Sequence, residues 1–247
     1  MIGLTSTTLR KYSLEEVADI SYKAGAEMIE WGSDFHVKTV SDAEKAKKLC
    51  DEREIVVNSY GTYYKIGCGD LEQWKKICGI SAAMGAKYIR TWLGEKGSDA
   101  TGEKLYSAIV EQTLRMADEA EKFSLVICNE CHPNTYNDTT GSALRYLRDV
   151  NRENVKTYYQ SWYHDEPGDR EKLFSTFPYV QDVHVSFSEL DKFQLLHKKD
   201  KQYIDKILSW LKQLGFDNSI MIEFTKGGNA ENLIKDIERL KQIWKTV

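Results

Sequence analysis

Three times along this chain an amphipathic stretch runs into a glycine and, within one to four residues, into an apolar strand: YKAGAEMIEWG, AAMGAKYIRTWLG and KQLGFDNSIMIEF. Gly25, Gly85 and Gly215 each stand where a helix ends in a left-handed residue, a conformation that costs glycine nothing. A unit of helix, glycine and strand leaves successive strands parallel, because the helix carries the chain back to the end where the previous strand began. The chain must therefore alternate α and β.

Hydrophobic periodicity extends the alternation over the whole length. Strands are predicted at 2–8, 27–32, 56–62, 88–93, 125–131, 155–161, 180–186 and 219–225, with helices near 13–24, 40–53, 70–84, 104–123, 140–150, 169–176, 202–214 and 230–245. Ser13 with Glu16, and Ser41 with Glu44, have the spacing of a capping box, in which the two side chains satisfy free backbone N–H groups at a helix start. Ile204, Ile207, Leu208, Leu211 and Leu214 form one helical stripe, and Leu233, Ile237, Leu240 and Trp244 another. Eight such units in 247 residues predict a closed (β/α)8 barrel of the TIM type, an α/β fold. An open doubly wound sheet is the competitor, but TSTTLRKY after the first strand has no Gly-rich phosphate-binding turn. Only three prolines occur and no Gly/Ser-rich linker interrupts the pattern, so residues 1–247 read as one domain.

The formal net charge of −4 and pI near 5.8 supply no field that would draw in polyanions, and no basic patch stands out, which argues against nucleic-acid binding. The opening MIGLTSTTL lacks the basic and then apolar regions of a signal peptide, and no apolar run reaches about 18 residues. A cytoplasmic protein without membrane partners is expected. Its five cysteines are odd in number and scattered, so they read as reduced thiols. Cys128 and Cys131 make a single Cys-x-x-Cys; a four-thiolate zinc site needs a second pair, and a redox pair ordinarily opens a helix rather than ending a strand.

In a barrel of this type the active site lies at the C-terminal ends of the strands, and alternation decides which side chains face inward there. The inward set is Glu30 on strand two, Cys128, Glu130 and His132 on strand five, and Tyr158, Gln160 and Trp162 on strand six. Strand seven adds Asp182, His184 and Ser186, and strand eight Met221 and Glu223. Several carboxylates converging on one mouth repel one another and lose hydration, a cost that a divalent cation removes. Glu130, His184, Glu223 and a ligand from strand six make a mixed O/N set suited to Mn2+, Mg2+, Co2+ or Zn2+. Tyr60, Trp92 and Trp162 are placed to pack on a substrate face, and His132 and His164 to neighbour it. His36 and His197 read as solvated loop residues.

On these residues the sequence resembles the xylose isomerase-like TIM-barrel superfamily, in particular its sugar phosphate isomerase/epimerase group. The pieces that carry the resemblance are GAEMIEWG, ICNECHPNTYND, VHVSF and SIMIEFTKGG, in that order over essentially the whole chain. The resemblance implies a Glu–Asp–His–Glu metal site whose two glutamates also exchange a proton with the sugar carbon. Carried over, the glutamates are Glu130 and Glu223 and the histidine is His184. The aspartate has no match: TYYQSWYHD places Gln160 at the strand end, with Asp165 following as a substitute in the loop. HVSFSELDKFQ also lacks the arginine that contacts substrate in such epimerases.

The activity so implied is a divalent-metal-dependent sugar isomerase or epimerase, with Mn2+ foremost, acting on a ketose or polyol-derived carbonyl compound. Glutamates transfer the proton through a metal-stabilised enediolate. A lyase dehydrating a keto-inositol needs the same metal and base, and a barrel that binds ligands without catalysis is the remaining alternative. The apurinic-site endonuclease branch uses three metals and more histidines than NSYG and RTWLG offer at strands three and four. Arg90, Lys65 and Lys226 are the cations placed to meet a phosphate, without a recognisable cradle, and homo-oligomerisation is left open.

Overall fold

The structure, a computed structural model, describes residues 1–160, 166–187 and 203–247. Its strands are β1 (Ile2–Thr5), β2 (Met28–Gly32), β3 (Val56–Ile66), β4 (Tyr88–Leu93), β5 (Val126–Glu130), β6 (Val155–Gln160), β7 (Val180–Val185) and β8 (Ser219–Ile222). They are parallel and close in sequence order, β8 pairing with β1. The helices are α1 (Leu14–Lys23), α2 (Val40–Asp51), α3 (Leu71–Met84), α4 (Glu103–Glu121), α5 (Thr140–Val150), α6 (Glu166–Thr176), α7 (Tyr203–Gln213) and α8 (Ala230–Thr246). No helix among the described residues is long and apolar enough to cross a membrane.

Local chemistry explains most of the boundaries. Ser13 and Glu16 do form the capping box of α1. The box expected at Ser41 and Glu44 lies two residues earlier, where Thr39 and Asp42 exchange the bonds, because Val40 already begins α2. Gly25, Gly85 and Gly215 have φ of 67°, 75° and 71°, as the repeated unit requires. β3 is longer than predicted and runs past the mouth to Ile66, with register shifts against both neighbours.

Period two sorts the strand residues into layers. Ile29, Trp31, Ile127, Val183, Ile220 and Ile222 face outward into the apolar clusters packed against the helices. Met28, Cys128, Tyr158 and Met221 face inward and form the apolar plug of the barrel. Two residues further along each of those strands stand Glu30, Glu130, Gln160 and Glu223, which puts the polar layer directly above the plug.

Gly3 shows how little room the interior leaves. A Cβ there would lie 2.2 Å from the Met28 carbonyl oxygen, a backbone atom held in the β1–β2 ladder. Gly3→Ala is expected to destabilise the barrel by about 1–3 kcal/mol through overpacking, read as a lower urea midpoint. An unchanged midpoint would show that β1 can shift at no cost.

Candidate metal centre

Glu130 from β5, His184 from β7 and Glu223 just past β8 converge so that one ligand atom from each lies within 4.8 Å of the others. His184 Nδ1 stands 3.6 Å from Glu130 Oε1 and 3.5 Å from Glu223 Oε2, while Nε2 stands 4.0 Å from Glu30 Oε2. All four side chains are buried, yet neither imidazole nitrogen has a hydrogen-bond partner. The Gln160 amide nitrogen donates to Glu223 Oε2 at 2.9 Å, and its oxygen is also buried without a partner.

The counter-charge that the sequence reading assigned to a cation comes in part from the protein itself. Arg90, fully buried on β4, donates through Nη1 to Glu130 Oε2 at 2.5 Å and places Nε 3.1 Å from Glu30 Oε1. Arg90 is therefore an interior ion-pair residue and not a phosphate contact. Gly61 makes the space: a Cβ there would lie 2.6 Å from Glu30 Oε1 and 3.0 Å from Arg90 Nη2. Below them a bulge in β3 turns both Asn58 and Ser59 inward, Ser59 donating to Glu30 Oε2 and Asn58 to Asp182 Oδ2.

Charges and burial set the proton affinities. Burial alone would raise the Glu130 carboxyl, but Arg90, His184 and the Trp92 indole outweigh it and hold it well below the ordinary carboxylate range. Burial would discharge His184, yet the Glu223, Glu130 and Glu30 carboxylates hold its pKa well above the usual value. Asp182, beneath the site, is pushed up to about 7, mainly by burial.

With His184 deprotonated, as an imidazole must be to ligate a cation, three glutamates against one guanidinium leave a charge of −3 + 1 = −2; without a cation, a proton on His184 makes up part of that deficit. That deficit, the orphaned nitrogens and the unpaired amide oxygen fit a divalent cation. Ligand atoms about 2.1 Å from one ion stand roughly 3–3.5 Å apart, close to the His184 distances. Glu130, His184 and Glu223 would hold it, with Gln160 within reach of the same cluster.

The remaining predicted residues divide. Trp92 and His132 meet at the mouth, their rings stacked 4.4 Å apart, with Trp92 Nε1 donating to Glu130 Oε2. Glu30 lies in the cluster but is held by Ser59 and Arg90. Tyr60 is not at the mouth: it faces outward on β3, and its hydroxyl donates to the Val37 carbonyl. Tyr63 takes its place, edge-on to Trp92 at 5.2 Å and with Arg90 5.5 Å from its ring. Trp162, His164, Asp165 and His197 lie outside the described residues. His36 is buried and not solvated, bonded to Ser6 Oγ and the Tyr12 carbonyl. Cys128 and Cys131 are buried and not joined in a disulfide, and burial raises both thiols, so neither is a reactive thiolate.

Comparison with known proteins follows the same lines. The family model described as xylose isomerase-like TIM barrel matches residues 18–243. A 3-dehydroshikimate dehydratase of Bacillus anthracis is 24% identical over 153 residues, a match that spans 58% of this chain and 55% of that protein, about half its length. The probable 3-DHS dehydratase structure from the same organism superposes with a TM-score of 0.79 at 17% identity, covering 96% of this chain and 97% of the other. D-allulose 3-epimerase from Methylomonas sp. superposes with a TM-score of 0.78 at 16% identity, covering 98% and 97%.

Removing the guanidinium tests the electrostatics. Arg90→Met leaves Glu30 and Glu130 buried without their partner, which should cost about 3–5 kcal/mol near neutral pH. Arg90 lowers the Glu130 proton affinity in the wild type, a stabilisation present above the ordinary carboxylate range and lost as pH falls below it, so the deficit should be full at pH of about 7 and shrink toward about 3. Urea unfolding at both ends of that range checks it; a stability equal to wild type at both would refute the role of Arg90.

Proposed function

Because the chain belongs to the xylose isomerase-like TIM-barrel family, we propose that it is a divalent-cation-dependent sugar isomerase or epimerase that moves a proton beside the carbonyl of a ketose or polyol-derived substrate. The observation that carries this reading is the buried Glu130–His184–Glu223 cluster, with both imidazole nitrogens unpaired at the barrel mouth. A bound cation, Mn2+ foremost, would supply Lewis acidity that acidifies the C–H next to the carbonyl.

The chain's own residues divide the remaining work. Among the described residues the Glu223 carboxylate accepts one hydrogen bond, from Gln160, and it stands at the end of β8 where a substrate carbon would arrive; it is the base that takes the proton. Glu130 offers Oε1 to the centre while Arg90 and Trp92 occupy Oε2, which keeps the carboxylate anionic and fixed in direction. For stereoinversion, Glu130 Oε1 is the second proton carrier. Trp92, His132 and Tyr63 form an aromatic wall across the ends of β3, β4 and β5, a surface suited to the C–H face of a sugar.

The pinning of Glu130 favours a second reading. A carboxylate held this firmly as an anion is a poor proton carrier, and elimination of water from a keto-inositol-type substrate needs only one: the base takes the C–H proton and then gives it to the departing hydroxyl, which leaves as water while the C=C bond forms. The dehydratase among the relatives accords with it.

Deuterium wash-in from D2O across a panel of ketoses and keto-inositols reports proton removal whichever product follows. Glu223→Gln should slow wash-in by about 100-fold or more, the usual contribution of a general base, and metal analysis of wild type against Glu130→Ala/Glu223→Ala should show the cation lost. An epimer or isomer as product supports the first reading, and loss of water the second. Full wash-in by Glu223→Gln would sink both.

A further inference from the structure

The chain does something unusual immediately after Glu223. Phe224 adopts φ of +65°, in the left-handed region that bulky side chains avoid. Of the other non-glycine residues with positive φ, Asn151 caps a helix and Glu54, Ser124 and Asn134 lie in turns. The sequence predicts a strand through 225, with Phe224 inside it. Instead β8 ends at Ile222, and the backbone turns away beside the glutamate of the site.

One hydroxyl holds this turn. Thr8, buried in the short 3-10 helix Ser6–Leu9 that follows β1, accepts the Phe224 N–H at 2.9 Å and donates to the Ile222 carbonyl at 3.3 Å. It thus bonds the backbone on both sides of Glu223. A hydroxyl has one proton to give, so the 3.4 Å contact with Thr5 requires Thr5 to donate to Thr8, and the 2.7 Å contact requires Thr7 to donate to Thr5. Three threonines in sequence form one directed chain ending on the β8 backbone. Ser186 donates to the Phe224 carbonyl at 3.1 Å, and the Arg10 guanidinium sits 5.6 Å from the Phe224 ring.

We propose that Thr8 is a positioning residue for the barrel-mouth site: its hydroxyl bridges the backbone on either side of Glu223, keeps Phe224 in the left-handed conformation, and so sets where the Glu223 carboxylate points. The proposal rests on the reading that Glu223 is a ligand and base. Strained backbone persists only where its surroundings over-determine it, and here the restraint comes from the short helix that directly follows β1, the strand paired with β8. Closing the barrel is therefore also what aims the glutamate.

Thr8→Val keeps the shape of the side chain and removes both bonds, whereas Thr8→Ser keeps them. Crystal structures of the two variants and wild type give the first readout. Thr8→Val should show Phe224 relaxed to negative φ and Glu223 moved off the Gln160 amide, and Thr8→Ser should match wild type. Titration with Mn2+ gives the second: affinity should fall about 10-fold or more in Thr8→Val, the usual effect of losing a residue that orients a ligand, and be restored in Thr8→Ser. If Thr8→Val does not fold, adding Phe224→Gly decides, because glycine holds positive φ without help; recovery of the fold and of the Glu223–Gln160 contact supports the proposal, and no recovery overturns it. Thr8→Val with Phe224 and Glu223 unmoved overturns it as well. A wild type that binds no Mn2+ counts against the proposed function and leaves this inference to the crystallographic comparison.

Discussion

Closing β8 onto β1 turns a simple alternation of side chains into a layered site. Once the sheet is a barrel, every inward residue shares one narrow space with residues from the other strands, and a step of two along any strand moves up one layer. Met28, Cys128, Tyr158 and Met221 fill the lower layer, so Glu30, Glu130, Gln160 and Glu223 can only be the layer above. The helices, their caps and the outer apolar clusters matter to the site because they hold that closure in register.

A layer with three glutamates needs positive charge, and the barrel supplies only part of it. Arg90 reaches both Glu30 and Glu130 from β4, in space that a side chain at Gly61 would occupy. An ion pair buried this deeply is a fragile source of stability, since removing one member strands the other in low dielectric. Its value here is directional. It fixes one oxygen of Glu130 and leaves the other facing His184 and Glu223, so the charge deficit is concentrated at a single point.

The two glutamates are consequently unequal, although they look alike along the sequence. Glu130 is gripped by a guanidinium and an indole, and Glu223 by one amide and by the backbone turn that follows it. Epimerases and a dehydratase share this barrel among the relatives. The fold alone therefore does not choose between the two chemistries; for this site the choice turns on the roles proposed above for Glu130 and Glu223.

Much of this was legible in the residues themselves. The repeated helix–glycine–strand unit determined the α/β alternation, because left-handed helix ends and parallel crossovers are local consequences of composition and order. Strand parity determined that Glu30, Glu130, His184 and Glu223 would face one interior, because the alternation of side chains is intrinsic to an extended backbone. Parity did not place Tyr60, expected at the mouth only for standing near a strand end; Tyr63 reaches the mouth because β3 is bulged and runs on beyond its predicted end. Parity also gave no sign that Arg90 would neutralise two carboxylates, nor that Thr8, linked to Thr5 at the end of β1, would bond the chain on both sides of Glu223. Those features depend on which strands become neighbours and how far apart they stand, and residues that meet across 40 or 216 positions do so only when the barrel closes.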